Sequence, residues 1–135
     1  YGRLADTLRA VEREYGVVVV DCPSGLGRVV GELLAAADSV VLVTRSTERA
    51  LAHADRVRTL ARSLDAGLVA VAVTRTAETG DARERFGAPA VAFPESKLVE
   101  QATRHGLPVT TYAPDSPPAQ ALADLASTVW RTHTV

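Results

Sequence analysis

Four short, unbroken runs of apolar and largely β-branched residues punctuate the sequence: Val17–Val20, Val40–Val43, Leu68–Val73 and Ala90–Phe93. A strand with one wet face alternates apolar and polar residues. Runs without that alternation predict strands covered on both faces. Between them lie stretches of helical spacing. Leu4, Leu8, Val11 and Tyr15 share one face of a helix that stops at Gly16. Val29, Val30, Leu33, Leu34 and Ala37 form a second, ending before Asp38. A third stripe runs from Leu51 to Leu64 and stops at Gly67. Leu98, Val99 and Ala102 mark a helix between Glu95 and His105, closed by Gly106-Leu107-Pro108. The last helix is expected from Ser116 to Arg131, with a proline in its first turn. Helices alternating with buried strands predict βαβ units. The expected fold class is α/β, a three-layer arrangement with a mostly parallel sheet and helices on both faces.

Composition narrows the function classes. The 135 residues suit one domain or part of one, and no linker or repeat divides them. Fifteen basic residues against 16 acidic give a net charge of −1, so bulk charge does not point to a polyanion partner. The single cysteine, Cys22, has no partner within the chain, which excludes a disulfide scaffold and fits a reducing cytosol. No apolar run reaches the roughly 18 residues of a membrane helix, and no signal peptide is expected. The expected location is cytoplasmic. The first residue is Tyr1 rather than Met, which raises the expectation of a larger parent protein.

In open parallel sheets ligands bind beyond the carboxyl ends of the strands. The polar residues that end each run are therefore the candidates: Asp21, Thr44-Arg45-Ser46, Thr74-Arg75-Thr76 and Pro94-Glu95-Ser96. Asp21 ends four valines and precedes Cys22-Pro23-Ser24-Gly25, a position suited to a Mg²⁺ ion near a phosphate. Gly25 lets a backbone N–H approach that phosphate without a Cβ in the way. Spacing alone leaves a second reading open, in which Asp21 caps the next helix and Gly25 makes its turn.

Other features read more plainly. Cys22 is expected to be a small buried filler, since no histidine lies near it in sequence. His53, His105 and His133 lack metal-ligand spacing and are expected at the surface. Arg45, Arg49, Arg56, Arg58 and Arg62 are interleaved with Glu48, Asp55 and Asp65, which predicts a solvated face. Leu122, Leu125, Val129 and Trp130 of the last helix have few flanking cations, so core packing is expected rather than a membrane surface.

Taken in order, YGVVVVDCPSGLG, LLAAADSVVLVTRSTERALAHADRV, VAVTRT and AVAFPESKLVEQATRHGLPVTTYAPDSPPAQALADLA resemble the C-terminal two-thirds of the MinD/ParA family of P-loop ATPases, with the MinD branch nearest. The match covers roughly residues 15 to 127 and rests on five weak motifs in the right order. It implies that residues 1–135 are the C-terminal part of a single P-loop NTPase-like domain using ATP and Mg²⁺. Asp21 matches the family's Mg²⁺-associated acid and Gly25 its γ-phosphate-sensing switch glycine. Thr74 and Arg75 match the strand end that contacts adenine, where many relatives carry Asn in place of Thr. Pro94 and Glu95 match the loop that closes over the other adenine edge. Asp55 falls on the helix bordering the family's dimer and partner surface. The resemblance further implies an ATP-dependent homodimer in cell division or partitioning. It would engage a protein partner and a membrane surface or DNA, with peripheral membrane location in some members.

One departure is large. The family's K-G-G-x-G-K-[ST] loop is absent, and the only lysine, Lys97, follows a Pro-Glu-Ser turn. Several charge-assisted hydrogen bonds to phosphate, about 1.5–3 kcal/mol each, are therefore missing from these residues. The strand that carries that loop sits inside the family's sheet, so bare strand edges are expected beside it. Three functional readings follow: an ATPase whose phosphate loop lies upstream, a non-hydrolysing relative serving as a binding or localisation scaffold, and, more remotely, an ATP-dependent ligase of the same superfamily.

Overall fold

The computed structural model describes residues 2–134, and the side chains of residues 3–132. The elements follow in chain order: α1 (Gly2–Tyr15), α2 (Arg28–Ala36), β1 (Ser39–Arg45), α3 (Glu48–Ser63), β2 (Gly67–Thr74), α4 (Ala82–Phe86), β3 (Ala90–Phe93), α5 (Lys97–Arg104), α6 (Val109–Tyr112) and α7 (Pro117–Thr134). The three strands form one parallel sheet in the order β1-β2-β3, with a register shift between Val40 and Val41. Parallel neighbours need a crossover, and α3 and α4 supply the two.

The middle strand sets the layers. Side chains of β2 alternate between faces. Val71 and Val73 pack with Leu42, Leu51, Ala54 and Phe86, which places α3 and α4 on one face. Ala70 and Ala72 point the other way and are fully buried there, on the side of α7, which packs along β2 and β3. Alanines on this face let the α7 backbone approach closely, through Ala119 and Ala121. A second cluster of Val30, Leu34, Ala61 and Ala66 joins α2 to α3. Helices on both faces of a parallel sheet make this an α/β fold.

One expected strand does not form. Val17–Val20 is irregular, and Val19 is 91% exposed. A strand is held by hydrogen bonds to a neighbour, and among the described residues none pairs with this segment. Cys22, in the same stretch, is exposed rather than a buried filler. The last helix is also less buried than its pattern predicts. It packs through Ala119 and Ala121, while Leu122 and Trp130 remain exposed. His53 and His105 are at the surface as expected, and the side chain of His133 lies outside the described residues. Two short helices, α4 and α6, carry no periodic signal long enough to read.

Candidate functional site

The carboxyl ends of β1, β2 and β3 lie side by side, and hydrogen bonds tie them together. The Thr74 hydroxyl donates to the Thr44 carbonyl at 3.3 Å, joining the end of β2 to β1. The Thr76 N–H donates to the Phe93 carbonyl at 3.1 Å, joining the following loop to β3. Between these two anchors sits Arg75, exposed, with φ at +57°. A non-glycine residue in the left-handed region persists only where its surroundings hold it there. The Thr76 hydroxyl then folds the chain back, donating to the Glu78 carbonyl at 3.1 Å and accepting from the Glu78 N–H at 3.2 Å.

The next strand end is organised by a cap. Ser96 accepts the Leu98 N–H at 3.2 Å and starts α5, which fixes where Pro94 and Glu95 leave β3. Pro94 is half-buried and Glu95 exposed. Thr74, Arg75, Pro94 and Glu95 thus stand on two adjacent strand ends. Asp21 and Gly25 lie apart from the sheet, in the irregular stretch before α2. Asp21 is exposed, and Gly25 adopts φ of +98° with nothing within 4 Å of where a Cβ would stand. Conformation rather than crowding therefore demands glycine there.

These residues fit a magnesium nucleotide in a limited sense. Mg²⁺ in phosphoryl-transfer sites takes one or two protein carboxylates and completes its octahedron with phosphate oxygens and water. No group of three or more His, Cys, Asp or Glu side chains gathers among the described residues. A single exposed carboxylate, Asp21, matches that mode and excludes a protein cage. Beside it, partial desolvation first and the Asp21 charge second push the Cys22 thiol above its ordinary pKa, so it is a poor nucleophile at neutral pH.

Sequence reasoning missed a cleft and a clamp. Ser46, Leu51, Val73, Thr76 and the turn Glu78–Asp81 enclose about 210 Å³ between the loops that follow β1 and β2. Beyond the cleft, Arg85 of α4 grips two carboxylates of α3. Its Nη2 lies 2.7 Å from Asp55 Oδ2 and 3.1 Å from Glu48 Oε1. Its Nε and Nη1 complete the grip at 3.1 Å to Asp55 and 3.3 Å to Glu48. These bonds hold the guanidinium charged, well above even the usual arginine range. Glu48 and Asp55 read in the sequence as acids neutralising their own helix. Their partner stands 37 and 30 residues further on, beyond any local pattern.

Comparison with known proteins agrees with the fold. No family model matches the sequence. An uncharacterised ATP-binding protein of Methanocaldococcus jannaschii is 23% identical over 135 residues, covering 93% of this chain and 50% of that protein. The sporulation initiation inhibitor protein Soj of Bacillus subtilis is 29% identical over 145 residues, covering 94% of this chain and 56% of Soj. The crystal structure of the cell division ATPase MinD of Pyrococcus furiosus superposes with a TM-score of 0.88 at 19% identity, covering 96% of this chain and 58% of MinD. This chain is similar to MinD- and Soj-type ATP-binding proteins. A second MinD, the septum site-determining protein of Pyrococcus horikoshii in complex with Mg-ADP, superposes at 0.85 with 22% identity, over 94% of this chain and 55% of its own. The chain spans about half the length of the relatives it matches.

Proposed function

We propose that this chain supplies the nucleotide-base and switch portions of a MinD/ParA-type ATPase that binds and hydrolyses Mg·ATP. In this reading nucleotide state switches dimerisation, and with it attachment to a protein partner and a membrane surface or DNA. The observation that carries it is the pair of adjacent strand ends, Thr74-Arg75 and Pro94-Glu95, in the family's order and at the edge of the sheet where ligands bind. The two strand ends bracket the adenine, with Thr74 and Arg75 on one edge and Pro94 and Glu95 on the other. Asp21 holds Mg²⁺ directly or through water, and Gly25 presents its N–H to the γ-phosphate. When bound, the ion neutralises charge that develops on the phosphoryl oxygens. Chemistry of this kind depends on positioning and electrostatics and needs no protein nucleophile.

The test is made in the full-length protein. Asp21→Ala is expected to abolish Mg·ATP hydrolysis, a fall of at least about 10²-fold. Undiminished turnover overturns the site assignment. The scaffold reading has its own support, since no glycine-rich loop ending in lysine occurs in these 135 residues. Size-exclusion runs with and without Mg·ATP separate the two: a shift to dimer supports the ATPase, and an unchanged profile with no hydrolysis supports the scaffold.

A further inference from the structure

We propose that Arg85 is a positioning residue for the nucleotide-base loop, fixing the far end of the β2–β3 connection and so the backbone at Arg75. The inference rests on the reading that Thr74-Arg75 flanks the base.

Glu48 and Asp55 are seven residues apart on α3, two helical turns, and one guanidinium reaches both. Gripping two points along a helix sets the position of α4 along α3, which a single buried anchor does not. The Arg85 side chain is only 21% exposed. A further bond from Arg58 Nη1 to the Arg85 carbonyl, at 3.5 Å, holds its backbone to the same helix. Next to it, Phe86 is buried against Leu51, Val71 and Val73. Gly87, at φ of +68°, then ends α4 with its N–H on the Arg83 carbonyl.

The loop from Arg75 to Asp81 is therefore held at both ends. At its near end Thr74 and Thr76 bind the ends of β1 and β3. At its far end is α4, whose placement the clamp determines. Asp81 occupies the N-cap position of α4, but its side chain makes no capping bond. The start of α4 thus lacks the device that usually pins a helix terminus, and the hold comes from α3 instead. Glu48 belongs to the first turn of α3, directly after the loop that leaves β1. The clamp consequently ties together the two loops that wall the cleft. Releasing it lets the connection relax, and Arg75 is the residue whose left-handed backbone has most to gain from relaxing.

The full-length protein is titrated in Mg²⁺ with ribose-labelled fluorescent ATP and GTP analogues. Arg85→Ala is expected to weaken the ATP analogue by about threefold to tenfold and the GTP analogue less, narrowing the base preference. Asp55→Asn, which keeps its shape, is expected to move in the same direction. Arg85→Lys, able to pair with one carboxylate, falls between. Arg83→Ala, exposed on the same short helix, is expected to match wild type. The ratio of the two affinities does not depend on the folded fraction, so a merely structural role leaves it unmoved. An unchanged ratio in Arg85→Ala and Asp55→Asn, whether affinities fall together or stay the same, overturns the inference while sparing the base site. Wild type binding neither analogue overturns both.

Discussion

Asp21 and Cys22 show how far a single residue's surroundings decide its chemistry. The sequence predicted a small buried cysteine because no histidine lies near it. The valine run before it forms no strand, so the side chain lies exposed. Exposure alone would suggest a reactive thiol. Partial desolvation and the adjacent Asp21 carboxylate instead disfavour the thiolate, and both raise the pKa. Alkylation rate follows the thiolate fraction, so its pH profile, measured in EDTA, is expected to have a midpoint above that of a free thiol. Asp21→Asn removes the second of the two causes. The midpoint is then expected to fall, and reaction at pH 8 to quicken. A midpoint unmoved or raised by the substitution would show that the carboxylate does not act on the thiol.

At the scale of elements, β1, β2 and β3 were legible because buried parallel strands write themselves as continuous apolar runs. Val17–Val20 carries the same signature and failed as a strand. The pattern records what a segment can bury, whereas a strand also needs a hydrogen-bonding neighbour. The expectation of bare strand edges, drawn from the missing phosphate loop, anticipated this better than the valines did. Thr74, Arg75, Pro94 and Glu95 were legible as strand ends, yet Arg85 was not, since its partners on α3 lie 30 and 37 residues away. The helix α4, five residues long, is too short for periodicity to show. Its stability comes from tertiary packing, above all from Phe86, which is 2% exposed. Phe86→Ala is expected to cost about 3–5 kcal/mol, measured by urea unfolding. Val19→Ser, at a position 91% exposed, should stay within about 0.5 kcal/mol. A small loss at Phe86 would mean that α4 is not anchored through the core.

The whole molecule distributes its apolar surface unevenly. Val17, Val19, Val20, Leu26 and Val29 stand exposed in the irregular stretch and at the start of α2, and Val43 is 65% exposed on β1. Among the described residues the outer edge of β1 pairs with nothing. Val43 lies on the opposite face of β1 from Leu42, which packs under α3. Exposed apolar residues concentrated along one stretch of chain are unlike the scattered single ones of an ordinary surface, and such exposure marks a surface that seeks a partner. Relatives of this chain are about twice its length, so in them such surfaces have further chain available to cover them. Studied alone, the 135 residues are expected to bind the dye ANS and to associate as concentration rises. Placing a carboxylate on these exposed positions, as Val19→Asp or Val43→Asp, should lower both signals without loss of stability, because neither side chain is buried. In the full-length protein the same substitutions should lower the melting temperature, since a charge forced under a covered surface must be desolvated. Equal melting temperatures for wild type and both variants at full length would show that these valines remain in water there too. The exposed run would then be a property of this fold rather than a seam within it.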